Sequence, residues 1–244
     1  VSWRLASAVC RGRLHQRQNL PCQDACLAWC DQDGAICLLA DGAGSASQAR
    51  LGAKQAVAAG LDFLVLADLN NDWTDLAHDL VRTLQHKLQQ TAQENDCSLR
   101  DLHCTLQAVV ATPKRWAGLQ IGDGFVVYQQ DQRWQCLAGA EQDGYLNETH
   151  FITQDDSWDH ATLLELPQPP TAWCCSSDGL EHLALQQPGH CPFPGFFNPL
   201  QQFINSTNHR KDADAELETW LSSEAVQSRT DDDCSLIVAS RSEP

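Results

Sequence analysis

The chain of 244 residues is long enough to bury a sizeable core as one large domain, and its net charge of -16, from 16 basic against 32 acidic residues, would repel a phosphate backbone. That balance argues against a nucleic-acid partner and favours divalent cations. No apolar run approaches the roughly 20 residues that span a bilayer, and the first residues lack the charged-then-apolar pattern of a signal peptide, so a cytoplasmic protein with no membrane partner is expected.

Trp3 to Cys10 mixes apolar and small residues and reads as a strand. Arg11 to Asp24 reads as a polar loop that carries Arg13, His15, Arg17 and Asn19 and closes on Pro21-Cys22-Gln23-Asp24. A strand from Ala25 to about Trp29, an Asp33-Gly34 turn and a strand from Ala35 to Ala40 form an antiparallel pair, which brings Asp24 close to Asp41. Cys22, Cys26 and Cys30 recur every four residues on one face of the strand rather than in the close pairs of a zinc ribbon. A chain of this length without an export signal needs no disulfide framework, so the twelve cysteines are expected to be reduced, mostly buried thiols. For the same reason the glycosylation patterns at Asn147-Glu148-Thr149 and Asn205-Ser206-Thr207 carry little weight.

Ser45 is a suitable cap for a helix over Ala46 to Leu66, with Ala49, Ala53, Ala56, Val57 and Leu64 on one stripe. A second helix, from about Asp72 to Gln93, aligns Trp73, Leu76, Ala77, Leu80, Leu84 and Leu88, and both helices are expected to cover the same sheet. Four short strands follow, Thr105 to Ala111, Ala117 to Ile121, Phe125 to Gln129 and Trp134 to Leu137, read as an antiparallel meander. Asp143 to His160 is polar and irregular, and strand character resumes in Ala161 to Leu166 and Thr171 to Ser176. The Pro-, Gly- and Phe-rich stretch beginning at Gln186 reads as an irregular flap over about 186–208. A helix over Ala213 to Ser222 and a last strand over Ser235 to Ala239 complete the chain. Such an order lacks the alternation of a parallel sheet; it predicts an α+β fold, two antiparallel sheets face to face with helices outside each, in a single domain over 1–244.

Three acids share one local design, a carboxylate at a strand end beside a small or polar turn: Asp41-Gly42, Asp178-Gly179 and Asp232 before the last strand. A fourth, Asp123, sits in Gly122-Asp123-Gly124 between two strands. Gathering such acids at one rim is costly unless cations neutralise them, and hard oxygen ligands without histidine favour Mg²⁺ or Mn²⁺ over zinc. At Asp41 a cation has both the carboxylate and a main-chain oxygen within reach. Two ions sharing one carboxylate, roughly 3.5–4 Å apart, would hold a water between them, lower its pKa and aim it at a phosphorus or carbonyl centre.

Gln23-Asp24, Asp41-Gly42-Ala43-Gly44-Ser45, Gly122-Asp123-Gly124, Ser177-Asp178-Gly179-Leu180 and Asp232-Asp233-Cys234-Ser235 occur in the order and approximate spacing that resemble the metal-dependent type 2C protein phosphatases, the PPM family. Pro21-Cys22-Gln23-Asp24 with His15 upstream is most similar to the bacterial branch. The resemblance implies a four-layer αββα sandwich with a dinuclear Mn²⁺ or Mg²⁺ site that hydrolyses phosphoserine or phosphothreonine by attack of a metal-bridging hydroxide. It implies that Asp41 bridges the ions, that Gly42 offers its carbonyl to the second, and that Asp178 and Asp232 complete the first. Asp24 would orient the water, and Asp123 with Asp178 would hold a weaker third ion. The implied partners are phosphorylated proteins and, through them, a Ser/Thr kinase or its targets.

The chain departs from the family pattern at three positions. Gln23 stands where a glutamate is usual, which weakens the second metal site. Ala43 stands where eukaryotic members carry a general-acid histidine; His15 is the candidate replacement, since an imidazole suits proton donation near neutral pH. Asn19 stands where many members hold phosphate with arginine, and Arg17 ranks ahead of Arg13 and His15 as substitute because its fork suits bidentate binding. These departures motivate an alternative, a weak or inactive module of the same fold that binds a phosphorylated or kinase partner. A metallohydrolase acting on a small phosphorylated metabolite is a third reading. Retention of Asp41, Asp178 and Asp232 favours the active enzyme.

Overall fold

The structure, a computed structural model, describes residues 2–138 and 149–242. In chain order its elements are β1 (Ser2–Cys10), α1 (Arg13–Gln18), β2 (Ala25–Cys30), β3 (Ala35–Ala40), α2 (Ala49–Leu66), α3 (Trp73–Glu94), β4 (Leu106–Thr112), β5 (Arg115–Ile121), β6 (Phe125–Gln130) and β7 (Arg133–Cys136). There follow β8 (Thr162–Leu166), β9 (Ala172–Ser176), α4 (Glu181–Ala184), β10 (Leu185–Gln186), β11 (Cys191–Pro192), α5 (Pro194–Ser206), α6 (Arg210–Leu221), α7 (Glu224–Gln227) and β12 (Cys234–Ser242). Two five-stranded antiparallel sheets result, one ordered β1-β12-β9-β6-β7 and the other β2-β3-β4-β5-β8.

Alternation along the strands builds the layers. In β3, Cys37 and Leu39 face the other sheet and meet Trp3, Val109, Trp116, Trp173 and Ile237, while Ile36, Leu38 and Ala40 face the opposite way, onto α2 and α3. On the far side of the first sheet, Cys174, Leu236 and Val238 pack against Phe197, Leu200 and Ile204 of α5 and Leu217 and Leu221 of α6. The order helix, sheet, sheet, helix is therefore the αββα sandwich expected from the sequence. Asp72 caps α3, its side chain accepting from the backbone N–H of Thr74 and Asp75.

Several local expectations are corrected. The loop over Arg11 to Asp24 contains α1, bracketed by Gly12 and by Asn19, whose left-handed φ of 56° ends the helix. Six residues are too few to show a period. Ser45 does not cap α2; turns at Ala43 to Ala46 delay the helix until Ala49, after the Gln48 N–H has bonded the Asp101 carbonyl. The four central strands are not one meander, because β5 pairs with β8 and β6 with β9, so the chain changes sheets at Gly122-Asp123-Gly124. In the expected irregular flap, Pro194 starts α5, where its missing N–H costs nothing, and Phe197, Leu200 and Ile204 give the helix a buried stripe. Part of the expected irregular segment 143–160, with Asn147 and Glu148 of one glycosylation pattern, lies outside the described residues.

Candidate metal centre

Register places six segments at one end of the sandwich. Ala25 opposite Ala40 sets Asp24 beside Asp41; Leu106 opposite Ile121 brings the start of β4 to the 122–124 crossover. Phe125 opposite Ser176, Ser176 opposite Leu236, and Cys10 opposite Cys234 add Asp178, Asp232 and the α1 segment to the same rim. Thr105 fixes Asp41 from both sides: its N–H donates to the Asp41 carbonyl at 2.8 Å, and its Oγ1 accepts the Asp41 N–H at 3.0 Å. The Ser235 N–H donates to Ser177 Oγ at 3.0 Å and ties the strand ends that carry Asp178 and Asp232.

One carboxylate oxygen from each of Asp41, Asp123 and Asp178 lies within 4.8 Å of the other two. Asp232 lines the same cavity of ≈ 260 Å³, together with His15, Gln23, Gly42, Ser45 and Thr105. Among the described residues Asp232 stands outside the 4.8 Å group, with Oδ1 accepting the Asp233 N–H at 2.8 Å.

The crowding is visible in the electrostatics. Burial pushes the Asp41 carboxyl well above the usual carboxylate range, and the charges of Asp24, Asp178 and Asp232 add to it. Asp178 is pushed up to about 6, by burial first and then by Asp123 and Asp232. Asp24 is pushed up to about 7, chiefly by burial, with the Ser177 and Ser235 hydroxyls drawing it part of the way back. Neither Asp24 oxygen has a well-formed hydrogen bond among the described residues, and Asp178 Oδ1 is likewise buried without a partner.

This donor set fits hard divalent ions. All of its side-chain donors are oxygens, several are left without protein donors, and the Gly42 carbonyl accepts no hydrogen bond among the described residues, since the adjoining bridge uses the Asp41 carbonyl and the Ala43 N–H. Cations in the cavity would reverse the repulsion that raises Asp41 and Asp178.

The basic residues expected at the site divide. His15 lines the cavity, and its Nδ1 is 2.8 Å from Asp233 Oδ2. Arg17 does not line it; its exposed guanidinium lies 3.5 Å from Asp231. Arg13 pairs with Glu224 at 2.5 Å, and Asn19 ends α1. Both arginines of α1 thus have an acid nearby that draws them away from the rim, and among the described residues no lysine or arginine lines the cavity. Sequence reasoning passed over Asp233, Thr105 and Thr149, whose Oγ1 donates to Asp123 Oδ2 at 2.5 Å. The run Asp231-Asp232-Asp233 was the available signal for the first; nothing marked the threonines.

A profile of the protein phosphatase 2C family matches residues 11–222 of the chain. The chain is 33% identical to serine/threonine-protein phosphatase 3 of Escherichia coli (strain K12), over 98% of each sequence. Its fold is similar to serine/threonine phosphatase Stp1 from Staphylococcus aureus, with a TM-score of 0.69 at 13% identity over 100% of this chain and 96% of that one. It is also similar to serine/threonine phosphatase PstP/Ppp of Mycobacterium tuberculosis, with a TM-score of 0.68 at 14% identity over the whole of both chains.

Proposed function

The chain belongs to the protein phosphatase 2C family, and from that premise we propose that it is a Mn²⁺- or Mg²⁺-dependent phosphatase of phosphoserine and phosphothreonine in proteins. The observation that carries this reading is the meeting of Asp41, Asp123 and Asp178 within 4.8 Å, in a cavity that Asp232 and His15 also line. The solved catalytic domain of PstP is in complex with two manganese ions, and its similarity to this chain (TM-score 0.67, 15% identity) supports the same kind of centre here.

In this proposal Asp41, the Gly42 carbonyl, Asp178 and Asp232 would hold two divalent ions, and Asp123 with Asp178 would hold a weaker third. When bound, the ions supply charge neutralisation, polarisation of the phosphoryl oxygens and an acidified water. The protein does the rest. Asp24, buried beside Asp41 and without a well-formed hydrogen bond on either oxygen among the described residues, would accept a hydrogen bond of the attacking water and orient it. His15 passes a proton to the serine or threonine oxygen as it leaves. Leu14, 45% exposed, and Phe151 give the cavity wall apolar contact for the peptide around the phosphorylated residue. With no lysine or arginine lining the cavity among the described residues, Arg17 is not assigned to the phosphate, and His15 would contact the phosphoryl group beside any bound ions.

The substrates are accordingly the targets of a Ser/Thr kinase, and the proposed place of action is the cytoplasm; no helix among the described residues is long and apolar enough to cross a membrane. Phosphate release from phosphoserine and phosphothreonine peptides tests the reading. Turnover is expected with Mn²⁺ and is lost in EDTA and in Asp41→Asn. Turnover that survives both changes would remove the carboxylate centre from the mechanism, and tight peptide binding without turnover would favour an inactive binding module.

A further inference from the structure

We propose that Asp233 is a positioning residue that holds His15 as the proton donor to the leaving group; the assignment rests on the phosphatase reading above. Asp233 follows the candidate ligand Asp232 but does not line the metal cavity, and it is 2% exposed. Its carboxylate is surrounded by donors from a single segment. Oδ1 accepts the Gly12 N–H at 2.7 Å, and Oδ2 accepts the Gln23 N–H at 2.6 Å and bonds His15 Nδ1 at 2.8 Å. These donors come from the beginning, middle and end of residues 12–23, so one side chain fastens all of α1 to the start of β12.

The fastening has little play. A Cβ on Gly12 would come within 2.2 Å of the Asp232 carbonyl carbon, and one on Gly179 within 2.0 Å of the Asp233 carbonyl oxygen, so residues 232–233 are gripped from both sides by backbone. A carboxylate only accepts, so the bond to it requires the proton of His15 to sit on Nδ1. Nε2 is then the ring atom left to serve the cavity that His15 lines. To give a proton from Nε2 the ring must carry one on each nitrogen, and the Asp233 carboxylate accepts the one on Nδ1 in either state.

The step balances simply. The attacking water oxygen forms a new bond to phosphorus, the P–O bond to the serine breaks, and its electron pair stays on the serine oxygen, which takes the proton from Nε2. The proton given up by the water returns His15 to its starting state. A serine alkoxide is strongly basic and needs that proton, whereas p-nitrophenolate is a good leaving group and needs it far less.

The test measures kcat on a phosphoserine peptide and on p-nitrophenyl phosphate for the Mn²⁺-loaded wild type, Asp233→Asn and His15→Gln, with thermal melts to confirm folding. The ratio of the two kcat values, peptide over p-nitrophenyl ester, is expected to fall by on the order of tenfold or more in each variant. A second readout needs no turnover: ¹⁵N-histidine NMR of the metal-free protein, with the His15 signals identified by their loss in His15→Gln. It should show His15 protonated on Nδ1 in the wild type and a loss of that preference in Asp233→Asn. A ratio unchanged in both variants would reduce Asp233 to a structural clamp, and a wild-type His15 protonated on Nε2 alone would overturn the geometry. Failure of the wild type on both phosphoesters would instead overturn the phosphatase reading, with the NMR still deciding the Asp233–His15 arrangement.

Discussion

Asp41 and Asp178 are both held among other acids whose charges raise them, and Asp178 keeps one oxygen buried without a donor. Removing one charge should therefore separate stability from activity. Asp178→Asn is expected to raise the melting temperature of the metal-free protein while lowering kcat by at least about a hundredfold; calorimetry in chelator and phosphate release check the two halves. A pH dependence follows from the same groups. Their folded-state values lie above the ordinary carboxylate range, with Asp178 near about 6 and Asp24 near about 7, so the native state keeps protons that the unfolded chain has already lost. Their contribution to stability is present in full below that ordinary range and is lost as pH rises through about 6 and then about 7. Melting temperatures of the metal-free protein should fall across this interval, and saturating Mn²⁺ should remove the slope. A metal-free profile that rises from pH 4 to pH 7 would contradict the assignment.

At the level of elements, what could be read in the sequence depended on length and on punctuation. The long helices α2 and α3 and the strand ends at Asp41 and Asp178 were legible, because a period or an apolar run stops at an acid beside glycine. The six residues of α1 were not, since a single short helix offers no period, and α5 was masked by Pro194 and Pro199. Asp232 is marked as a candidate ligand by its place before the last strand, while the neighbouring Asp233, which organises α1, acts through contacts more than 200 residues away in sequence and leaves no local trace. Likewise, the switch of sheets between β5 and β6 looks locally like any other strand turn. The close approach of these elements can be tested with two glycines. Gly179→Ala forces a Cβ against the Asp233 carbonyl and should lower both melting temperature and Mn²⁺ affinity, whereas Gly44→Ala meets nothing within 4 Å and should leave the melting temperature unchanged. Equal melts for the two variants would show that the 178–179 turn can move away from β12.

The whole molecule places acids from five separated segments on one rim of a sandwich that already carries a net charge of -16, and among the described residues no lysine or arginine lines the cavity there. Such a field should select among substrates before any contact forms. Phosphopeptides with lysine or arginine beside the phosphorylated residue are expected to show higher kcat/KM than acidic ones, and the gap should narrow as salt shortens the screening length from about 30 Å at 0.01 M to about 8 Å at 0.15 M. Equal kcat/KM at low salt would remove this long-range selection. Beneath all of these expectations lies the claim that the rim acids are held together for divalent ions. Calorimetric titration of Mn²⁺ into the metal-free protein, beside Asp41→Asn, addresses it most directly. Saturable binding of two ions is expected in the wild type and its loss in the variant; identical isotherms for the two proteins, or no binding to either, would contradict a shared divalent centre.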